Sequence, residues 1–433
     1  MPLPCGIDFG TSNSAVGFVA GGEARLIALQ DGSPTLPTAL FFSFEDASVT
    51  HGREAMRRYL AGEEGRLMRS IKSLLGTALY HETTQVRHQR YLFADIVAAF
   101  LRYLRETSAL ELGGQADSVV LGRPAFFVDD DVEADATAQS QLEDAARVAG
   151  FKNIEFQFEP IAAALDYETR VRSEEIALVA DIGGGTSDFS LVRVSPERAG
   201  KADRRSDILG FDGVHIGGTD FDRLLSMAAL MPHLGLRSRL KMKGMDAPSW
   251  YFADLATWHR INFLYDPKVM REVKSVLRDS AEPEKIERLV AVLEERQGHA
   301  LLALIEQAKI DLSEADVAKV SLAVVAKGLA MRISRAKFEG AVEESLSKVG
   351  ARVREVMRGA GVAAGDVSTV FLTGGSSRVP AVRDAILAGV PDARVVEGDA
   401  FGSVATGLAL DASRRFGAKP VRRAAASRAR QGV

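Results

Sequence analysis

The stretch LVADIGGGTSDFSLVRV, residues 178–194, is the part of the sequence that decides the fold. It has a counterpart near the start of the chain, GIDFGTSNSAVGFV at residues 6–19. Each stretch reads as an apolar strand, an Asp, a glycine-rich turn with hydroxyl residues, and a second strand. Such an internal repeat indicates two related units, and 433 residues are too many for a single core. We therefore predict an α/β fold of two lobes, each with a central mixed sheet flanked by helices and carrying one of these hairpins.

The two turns carry residues suited to binding a phosphate. Gly183, Gly184 and Gly185 are consecutive, although a hairpin needs only one or two glycines and each glycine costs backbone entropy. A backbone that comes close to a ligand explains this excess. In DFGTSN, residues 8–13, backbone N–H groups and hydroxyls could hold phosphate oxygens while the Asp attracts Mg²⁺ through its waters. Taken alone, DFGTSN is equally compatible with an ordinary β-hairpin turn.

Two further glycine pairs precede predicted helices. HIGGTDFD, residues 215–222, would present the N-terminal amides of a helix to a phosphate. In LTGGSSR, residues 372–378, paired glycines let a flat ring pass close to the backbone, and Arg378 could stack on that ring. Either segment by itself is also explained as a strand-to-helix turn. Neither matches a P-loop or a GxGxxG dinucleotide fingerprint.

Composition indicates a globular protein for which we expect neither a nucleic-acid nor a membrane partner. The net charge is −4, so no overall basic field attracts nucleic acid. No segment has the roughly 20 consecutive apolar residues of a membrane span, and the N-terminus lacks the pattern of a signal peptide. The single cysteine, Cys5, excludes an internal disulfide framework. We expect a cytoplasmic protein whose residues 417–433 form a basic, disordered tail.

The remaining periodicities predict the order of strands and helices. Predicted strands cover residues 5–9, 15–19, 25–29, 39–44, 117–121, 176–180, 188–194 and 317–325. Predicted helices cover 53–61, 69–74, 92–107, 132–149, 220–231, 300–312, 334–357 and 400–416, and a strand–turn–helix unit covers 367–387. Residues 231–298 are less regular and contain Trp250 and Trp258. Their aromatic cluster is typical of a core, and the alternative is a surface that binds a partner.

Five motifs together resemble the ATPase domain of the heat-shock-70-type chaperone family. In the family's order they are GIDFGTSNS (residues 6–14), DIGGGTSD (181–188), HIGGTDFD (215–222), ISRAKFE (333–339) and FLTGGSSRVP (371–380). The resemblance implies a two-lobed actin-like ATPase fold, which is ribonuclease H-like, and binding of ATP or ADP with Mg²⁺. It also implies the boundaries of the lobes. These are a first lobe of residues 1–170 with a returning helix at 392–416, and a second lobe of 171–391 with an enlarged outer insertion at about 231–298.

The resemblance also implies the roles of individual residues. Asp8 and Asp181 would hold Mg²⁺ through water, and Lys72 would position the attacking water and offset charge on the γ-phosphate. Glu159 would order the water shell of the metal, and Thr186 would contact the γ-phosphate. The other nucleotide contacts would be phosphate contacts at Gly10, Thr11, Ser12, Asn13, Gly183, Gly184, Gly185, Gly217 and Gly218, and adenosine contacts at Glu306, Lys309, Ser313, Gly374, Gly375, Ser376 and Arg378. Without the resemblance, Lys72, Glu306 and Lys309 read as ordinary exposed helix charges.

The sequence departs from the family in three regions. The chain ends in RRAAASRARQGV, residues 422–433, so we expect neither the apolar linker nor the peptide-binding domain of full-length members, as in short bacterial members. Gln139 stands where the family has an arginine that relays signals between its domains. Residues 231–298 are longer than their counterpart and could bind client or regulatory proteins.

These observations favour slow, Mg²⁺-dependent ATP hydrolysis coupled to opening and closing of the lobes, in a chaperone or a chaperone-like switch. Because sugar and acetate kinases share the actin-like fold, a small-molecule kinase is one alternative, although no catalytic Asp facing a substrate pocket stands out in the first lobe. A non-enzymatic scaffold or filament subunit is the other.

Overall fold

The computed structural model describes residues 2–128, 131–168, 171–199, 201, 203–241, 244–258, 260–397 and 402–417. Nearly all of the predicted tail, from residue 418 on, lies outside the described residues, as do residues 400 and 401 at the start of the last predicted helix. Up to residue 168, the described strands are β1 (Cys5–Phe9), β2 (Asn13–Ala20), β3 (Glu23–Leu26), β4 (Thr35–Pro37), β5 (Ala39–Ser43), β6 (Val49–His51), β7 (Gly65–Arg69), β8 (Thr83–Val86), β9 (Gln89–Leu92), β10 (Ser118–Arg123) and β11 (Asn153–Phe158). The helices of this half are α1 (Gly52–Leu60), α2 (Phe93–Thr107), α3 (Val132–Ala149) and α4 (Glu159–Glu168).

The second half continues the alternation of strands and helices. Its described strands are β12 (Glu175–Ile182), β13 (Ser187–Val194), β14 (Ile208–Val214), β15 (Val317–Ser321), β16 (Ala330–Ser334), β17 (Val367–Thr373) and β18 (Arg394–Glu397). Its helices are α5 (Gly218–Leu225), α6 (Trp250–Leu255), α7 (Pro267–Asp279), α8 (Pro283–Glu294), α9 (Gly298–Glu314), α10 (Arg335–Ala360), α11 (Pro380–Leu387) and α12 (Ser403–Phe416).

The two main sheets have the same strand arrangement, which confirms the two mixed sheets predicted from the repeat. The first has the order β11-β10-β1-β2-β3, with β4 on β2, and the second has the order β14-β13-β12-β17-β18. In each, three consecutive strands form an antiparallel meander, and two later strands add in parallel on the other side of the first strand. The fold is therefore α/β with two topologically equivalent sheets.

Local sequence signals account for the ends of the long helices. The Asp131 carboxylate accepts a hydrogen bond from the Ala134 N–H at the start of α3, and Gly150 ends this helix with a left-handed φ of 106°. The Ser334 side chain caps α10 by accepting a hydrogen bond from the Lys337 N–H. These capping residues fix the helices that cover the outer faces of the sheets.

Helices α4 and α12 fill the space between the two sheets. Buried apolar residues of both helices form one cluster with residues of both sheets, such as Val120 of β10 and Val179 of β12. The approach is close, because a methyl group at Gly407 of α12 would lie 1.8 Å from the Ala162 carbonyl oxygen of α4. A methyl group at Gly6 of β1 would lie 2.3 Å from the backbone of α12. Glycines thus allow the last described helix to pack directly on the first strand.

Several predicted elements differ from the observed ones. Residues 69–74 do not form one α-helix, because β7 ends at Arg69, Ser70 has a left-handed φ of 57°, and a 3-10 helix follows at Ile71–Leu74. The helix predicted at 220–231 begins earlier, at Gly218, and passes into a π-helical turn at Ser226–Leu230. Its early start has a local cause, since the Asp220 carboxylate accepts a hydrogen bond from the Gly217 N–H at 3.1 Å.

The tryptophan-containing region is partly core and partly surface. Tyr251 and Phe252 are buried in the large core of the second half, as predicted for an aromatic cluster, and Trp258 packs against that core. In contrast, 41% of Trp250 and 66% of Phe263 are exposed. Some aromatic residues of the cluster therefore belong to the core and others lie on the surface, because the short α6 and the 3-10 helix Ile261–Tyr265 can bury only one face each.

Candidate functional site

The two glycine-rich hairpins meet each other. Asp8 of β1 lies opposite Ala15 of β2, and Asp181 of β12 lies opposite Asp188 of β13. A methyl group at Gly184 would lie only 2.1 Å from Ser12 Oγ, so the two hairpin tips are in contact. The equivalent ends of two equivalent sheets therefore converge at one place.

Backbone hydrogen bonds fix the first turn. The Thr38 hydroxyl donates to the Gly10 carbonyl at 2.8 Å, and the Thr38 N–H donates to the Ser12 carbonyl at 2.9 Å. A methyl group at Gly10 would lie 2.2 Å from the Asn13 carbonyl oxygen, so this tight turn requires glycine. Thr11 is partly buried at its tip. Hydrogen bonds from Thr38, directly after β4, therefore hold this turn in place.

Lys72 and Glu159 form a buried ion pair beside the hairpins. Lys72 lies in the 3-10 helix and Glu159 opens α4; the Lys72 Nζ to Glu159 Oε1 distance is 2.8 Å, and the side chains are only 11% and 14% exposed. Burial lowers the pKa of Lys72, but the charges of Glu159, Asp8 and Asp181 outweigh burial and raise it above its ordinary value. Lys72 is therefore a positive charge embedded in the carboxylate cluster, and not the exposed helix charge that its local sequence suggests.

Three aspartates of this cluster have raised pKa values because they are crowded and buried. Burial and the charge of Glu159 raise the pKa of Asp8 to about 8, although Lys72 opposes the shift. Burial and Glu159 raise the pKa of Asp181 to about 6, while burial and Asp181 raise the pKa of Asp188 to about 7. When these carboxyl groups are ionised, the site has an excess of negative charge that a bound cation would neutralise.

The donor set suits hydrated Mg²⁺. Carboxylate oxygens are the ligands of hard divalent cations, and Mg²⁺ usually keeps several waters and binds through one or two carboxylates and substrate phosphates. Within the described residues, no three His, Cys, Asp or Glu side chains are grouped so that they could hold a metal by themselves. The residues therefore fit a metal that reaches the protein through water and phosphate.

The third glycine motif packs against the second hairpin. The Gly218 N–H donates to the Gly183 carbonyl at 3.0 Å, and the Thr219 N–H and hydroxyl donate to the Gly184 carbonyl at 2.7 and 2.8 Å. A methyl group at Gly217 would lie 2.6 Å from the Gly184 backbone. The start of α5 thus lies directly against the triple-glycine turn, where Gly185 has open space around it.

The fourth glycine motif contacts the same hairpin from another side. Gly374 has a left-handed φ of 77°, and a methyl group there would lie 2.3 Å from the Ile182 carbonyl oxygen. The Ser376 hydroxyl donates to the Gly183 carbonyl at 3.2 Å. Gly375 and Arg378 lie in the 3-10 helix Gly375–Arg378, with Arg378 exposed at its end. The other three glycine motifs are therefore assembled around the second hairpin.

Helix α9 brings Lys309 to this assembly. The Lys309 ammonium donates to the Gly218 carbonyl at 3.2 Å and to the Asp222 carboxylate at 2.9 Å, and it is buried rather than exposed. Burial raises the pKa of Asp222 to about 6, against the opposing charge of Lys309. The Ser313 hydroxyl donates to the Lys309 carbonyl at 3.3 Å, and Glu306 is exposed on the same helix. Lys309, one of the three predicted adenosine contacts on α9, is thus hydrogen-bonded to the glycine turn at Gly217–Gly218.

A small cavity adjoins the carboxylate cluster. Glu159, Asp181 and Asp188 line it together with apolar residues that include Val179 and Phe211. Apolar walls exclude water and strengthen electrostatic interactions, which is the physical reason for the raised pKa values of the two aspartates.

Two acidic residues of the site were missed by the sequence reasoning. Asp188 ends the motif DIGGGTSD and accepts a hydrogen bond from the Thr186 hydroxyl at 2.8 Å. Asp222 ends the motif HIGGTDFD and pairs with Lys309. Both stand within motifs that were selected for their glycines. Their positions directly after the glycine turns could have identified them, since Asp188 lies opposite Asp181 and Asp222 lies on the first turns of α5.

The fold and this site together define a class of protein. Two equivalent mixed sheets, whose glycine-rich hairpins meet beside a lysine–carboxylate cluster, are the arrangement of an actin-like ATPase. Comparison with known families agrees, since the model for "Hsp70 protein" matches residues 4–234 and 281–424. The chain belongs to the Hsp70 family. The match omits residues 235–280, which fall inside the insertion predicted at 231–298.

Family membership confirms the general part of the functional prediction. The protein is an ATP-binding protein of the chaperone type, and members of its family are ATPases that bind ATP or ADP with Mg²⁺. This favours the first of the three predicted functions over a small-molecule kinase or a filament subunit. In the described part of the chain, none of the helices combines the length and apolarity needed to cross a bilayer.

Proposed function

We propose that the protein hydrolyses MgATP slowly in the cleft between its two halves, and that the bound nucleotide controls whether the halves are closed or open. One observation carries the proposal: the contact of Ser12 with Gly184 joins the two hairpins next to the Lys72–Glu159 pair. The contact between the two hairpins exists only while the two halves lie close together. A ligand that contacts both hairpins therefore stabilises the closed arrangement.

The chain's own residues supply the positioning and the charge that phosphoryl transfer requires. Lys72 holds a positive charge where negative charge develops on the γ-phosphate, and Glu159 fixes the ammonium in place through their ion pair. When bound, Mg²⁺ neutralises phosphate charge, and Asp8 and Asp181 would hold it through water. The Thr186 hydroxyl, now bonded to Asp188, is available to the terminal phosphate.

The remaining predicted contacts divide between the two ends of the nucleotide. The turns at Gly10–Asn13, Gly183–Gly185 and Gly217–Gly218 would hold the phosphates through their backbone amides. Glu306, Lys309 and Ser313 would bind the ribose side, while Gly374, Gly375, Ser376 and Arg378 would bind the base. The packing of the other glycine motifs around the hairpin of Asp181 supports one shared nucleotide site.

A second set of contacts joins the halves at the outer end of the cleft. The Tyr59 hydroxyl of α1 lies 3.0 Å from His299 Nε2 at the start of α9, and the two rings meet edge to face at 4.7 Å. Trp258 also meets the His299 ring edge to face at 4.7 Å and lies 6.5 Å from the Tyr59 ring, so the three rings form one cluster. These contacts must break when the halves separate, which supports a switch between closed and open arrangements.

We also propose that residues 231–298 carry a surface for client or regulatory proteins. Support comes from three apolar side chains there that are largely exposed, Met245, Trp250 and Phe263. Cross-linking from position 263 during incubation with an unfolded model protein tests this. Equal cross-linking from an exposed position outside the region, such as Leu110, would contradict it.

The experiment that tests the proposed activity compares Lys72→Ala with Lys152→Ala. Lys152 is a matched control, because its side chain is 71% exposed and it pairs with Asp117 at the surface. We expect Lys72→Ala to lose about 100-fold or more in ATP turnover while keeping ATP affinity within about threefold, as expected for a group that acts on the transition state. Turnover of the unaltered protein should lie below the roughly 1 s⁻¹ at the low end for kinases. Equal turnover in both variants would refute the role of Lys72.

A further inference from the structure

Arg69 is a cation of the cleft that the proposed mechanism does not use. It is the last residue of β7, three positions before Lys72, and the left-handed Ser70 separates the two. A left-handed conformation is uncommon for serine and is a feature of functional sites. The turn lets the two cations serve different neighbours, since Lys72 pairs with Glu159 while Arg69 lies over the Trp258 ring at 4.8 Å.

Arg69 extends from the first half toward residues of the second half. Burial lowers the pKa of Arg69, and the carboxylates of Glu306 and Asp222 oppose this shift, so both acids act on the guanidinium. Asp222 is bound to Lys309, and Lys309 is bound to the Gly218 carbonyl beside the triple-glycine turn. Arg69 of the first half therefore reaches the second half, where its guanidinium packs on Trp258 and its charge interacts with Asp222, the partner of Lys309.

The guanidinium has unused hydrogen-bonding capacity. Within the described residues, no carboxylate, carbonyl or hydroxyl accepts a hydrogen bond from Arg69; its one close partner is the face of Trp258. A partly buried guanidinium with five N–H donors and no acceptor is costly, and such a group calls for an explanation. Packing on Trp258 explains the position of the side chain but leaves its donors unsatisfied.

We propose that Arg69 binds the phosphates of the nucleotide from the first half of the chain, opposite the glycine-rich hairpin of the second. This inference rests on the proposed nucleotide site. A phosphate offers two negatively charged oxygens that can accept the parallel N–H donors of a planar guanidinium, and it satisfies donors that Trp258 cannot. Because Arg69 spans the cleft, its contact also makes closure of the two halves depend on a phosphorylated ligand rather than on a nucleoside.

The test measures the affinities of ADP, ATP and adenosine, each with Mg²⁺, by calorimetry. Arg69→Ala should weaken the affinities for ADP and ATP about tenfold, as expected for loss of one charge-assisted hydrogen-bonded pair. The affinity for adenosine should change by no more than about twofold. Arg69→Lys should lie between, because lysine keeps the charge but not the two-pronged geometry. Arg66→Ala is the matched control on the same strand, since Arg66 is exposed and donates to the Gln85 carbonyl, and it should change nothing.

A second measurement uses Trp258 as a reporter. In a Trp250→Phe background Trp258 is the only tryptophan, because the chain has two. Its emission should change on adding ADP, as Arg69 leaves the ring for a phosphate, and this change should disappear in Arg69→Ala. Thermal unfolding checks that each variant is folded.

The outcomes separate this inference from the proposed function. If the unaltered protein binds no nucleotide, both fail. If it binds ADP and Arg69→Ala binds ADP equally well, Arg69 is a structural partner of Trp258 and the inference alone is overturned. Equal weakening of adenosine and ADP would also overturn it, because Arg69 would then close the cleft through Glu306 without contacting phosphate.

Discussion

The contact between the two hairpins can be broken by one added methyl group, in Gly184→Ala. The new Cβ would lie 2.1 Å from Ser12 Oγ and 3.2 Å from Ser12 Cβ. Ser12 therefore has to turn its hydroxyl away, or the hairpin tips have to move apart by roughly 1 Å to restore a tolerable contact. Either response disturbs the place where the halves meet.

The size of the effect follows from this geometry. Overpacking of a close contact costs about 1–3 kcal/mol, and a displacement of about 1 Å at groups that act on a substrate costs about 100-fold in rate. We expect Gly184→Ala to weaken MgATP binding about tenfold and to lower turnover about 100-fold. The overall fold should remain, because the hairpin lies at an edge of the core and not inside it.

The assay is a double-mutant cycle with Ser12→Ala, measured by MgATP affinity and turnover. Removing Ser12 Oγ leaves the methyl group 3.2 Å from the remaining Cβ, so Gly184→Ala should be clearly less harmful in the Ser12→Ala background. Gly340→Ala on α10 is the control, because a methyl group there meets nothing within 4 Å. Additive effects in the cycle, or unaltered activity of Gly184→Ala, would refute the contact on which the proposed function depends.

Two further predictions concern ionisable groups. Burial lowers the pKa of His299 from 6.5 to about 4, so on acidification the unfolded chain binds a proton at His299 before the folded chain does. The stability that neutral His299 contributes is therefore complete above pH 6.5 and is lost as the pH falls toward 4. Between pH 7 and 5, the free energy of unfolding, measured with denaturant, should fall by about 2 kcal/mol more for the unaltered protein than for His299→Gln. Parallel pH profiles of the two proteins would contradict this. Asp188→Asn removes one charge from the crowded carboxylate cluster and should raise the melting temperature without metal by about 2 °C. The same variant should show a smaller rise in melting temperature on adding MgADP. An unchanged rise would show that Asp188 does not face the ligand.

The sequence predicted the sheets well because the repeat has a strong pattern. A strand, a glycine turn and a second strand occur twice, and each copy forms the centre of a sheet. Prediction failed at residues 69–74, where the apolar spacing suits an α-helix but the left-handed Ser70 divides a strand from a 3-10 helix. One turn of helix has too few residues for periodicity to distinguish these cases.

The candidate site was predictable as a set of motifs but not as a set of contacts. The glycines and Asp8, Asp181 and Lys72 stand in recognisable segments. The pairing of Tyr59 with His299 joins residues 240 positions apart, and no local pattern announces it. The burial of Lys309 was missed for the same reason, because its partners belong to α5 and not to its own helix.

The position of α12 has a consequence for the synthesis of the chain. The first sheet leaves the ribosome early, yet Val120 and the backbone at Gly6 are covered by a helix that begins at Ser403. Until that helix emerges, the part of the inner face that α12 covers stays exposed, although α4 has already been synthesised. Completion of this half therefore waits until residues 403–416 have been synthesised, and until then the chain, which belongs to a chaperone family, exposes apolar surface of the kind that chaperones protect.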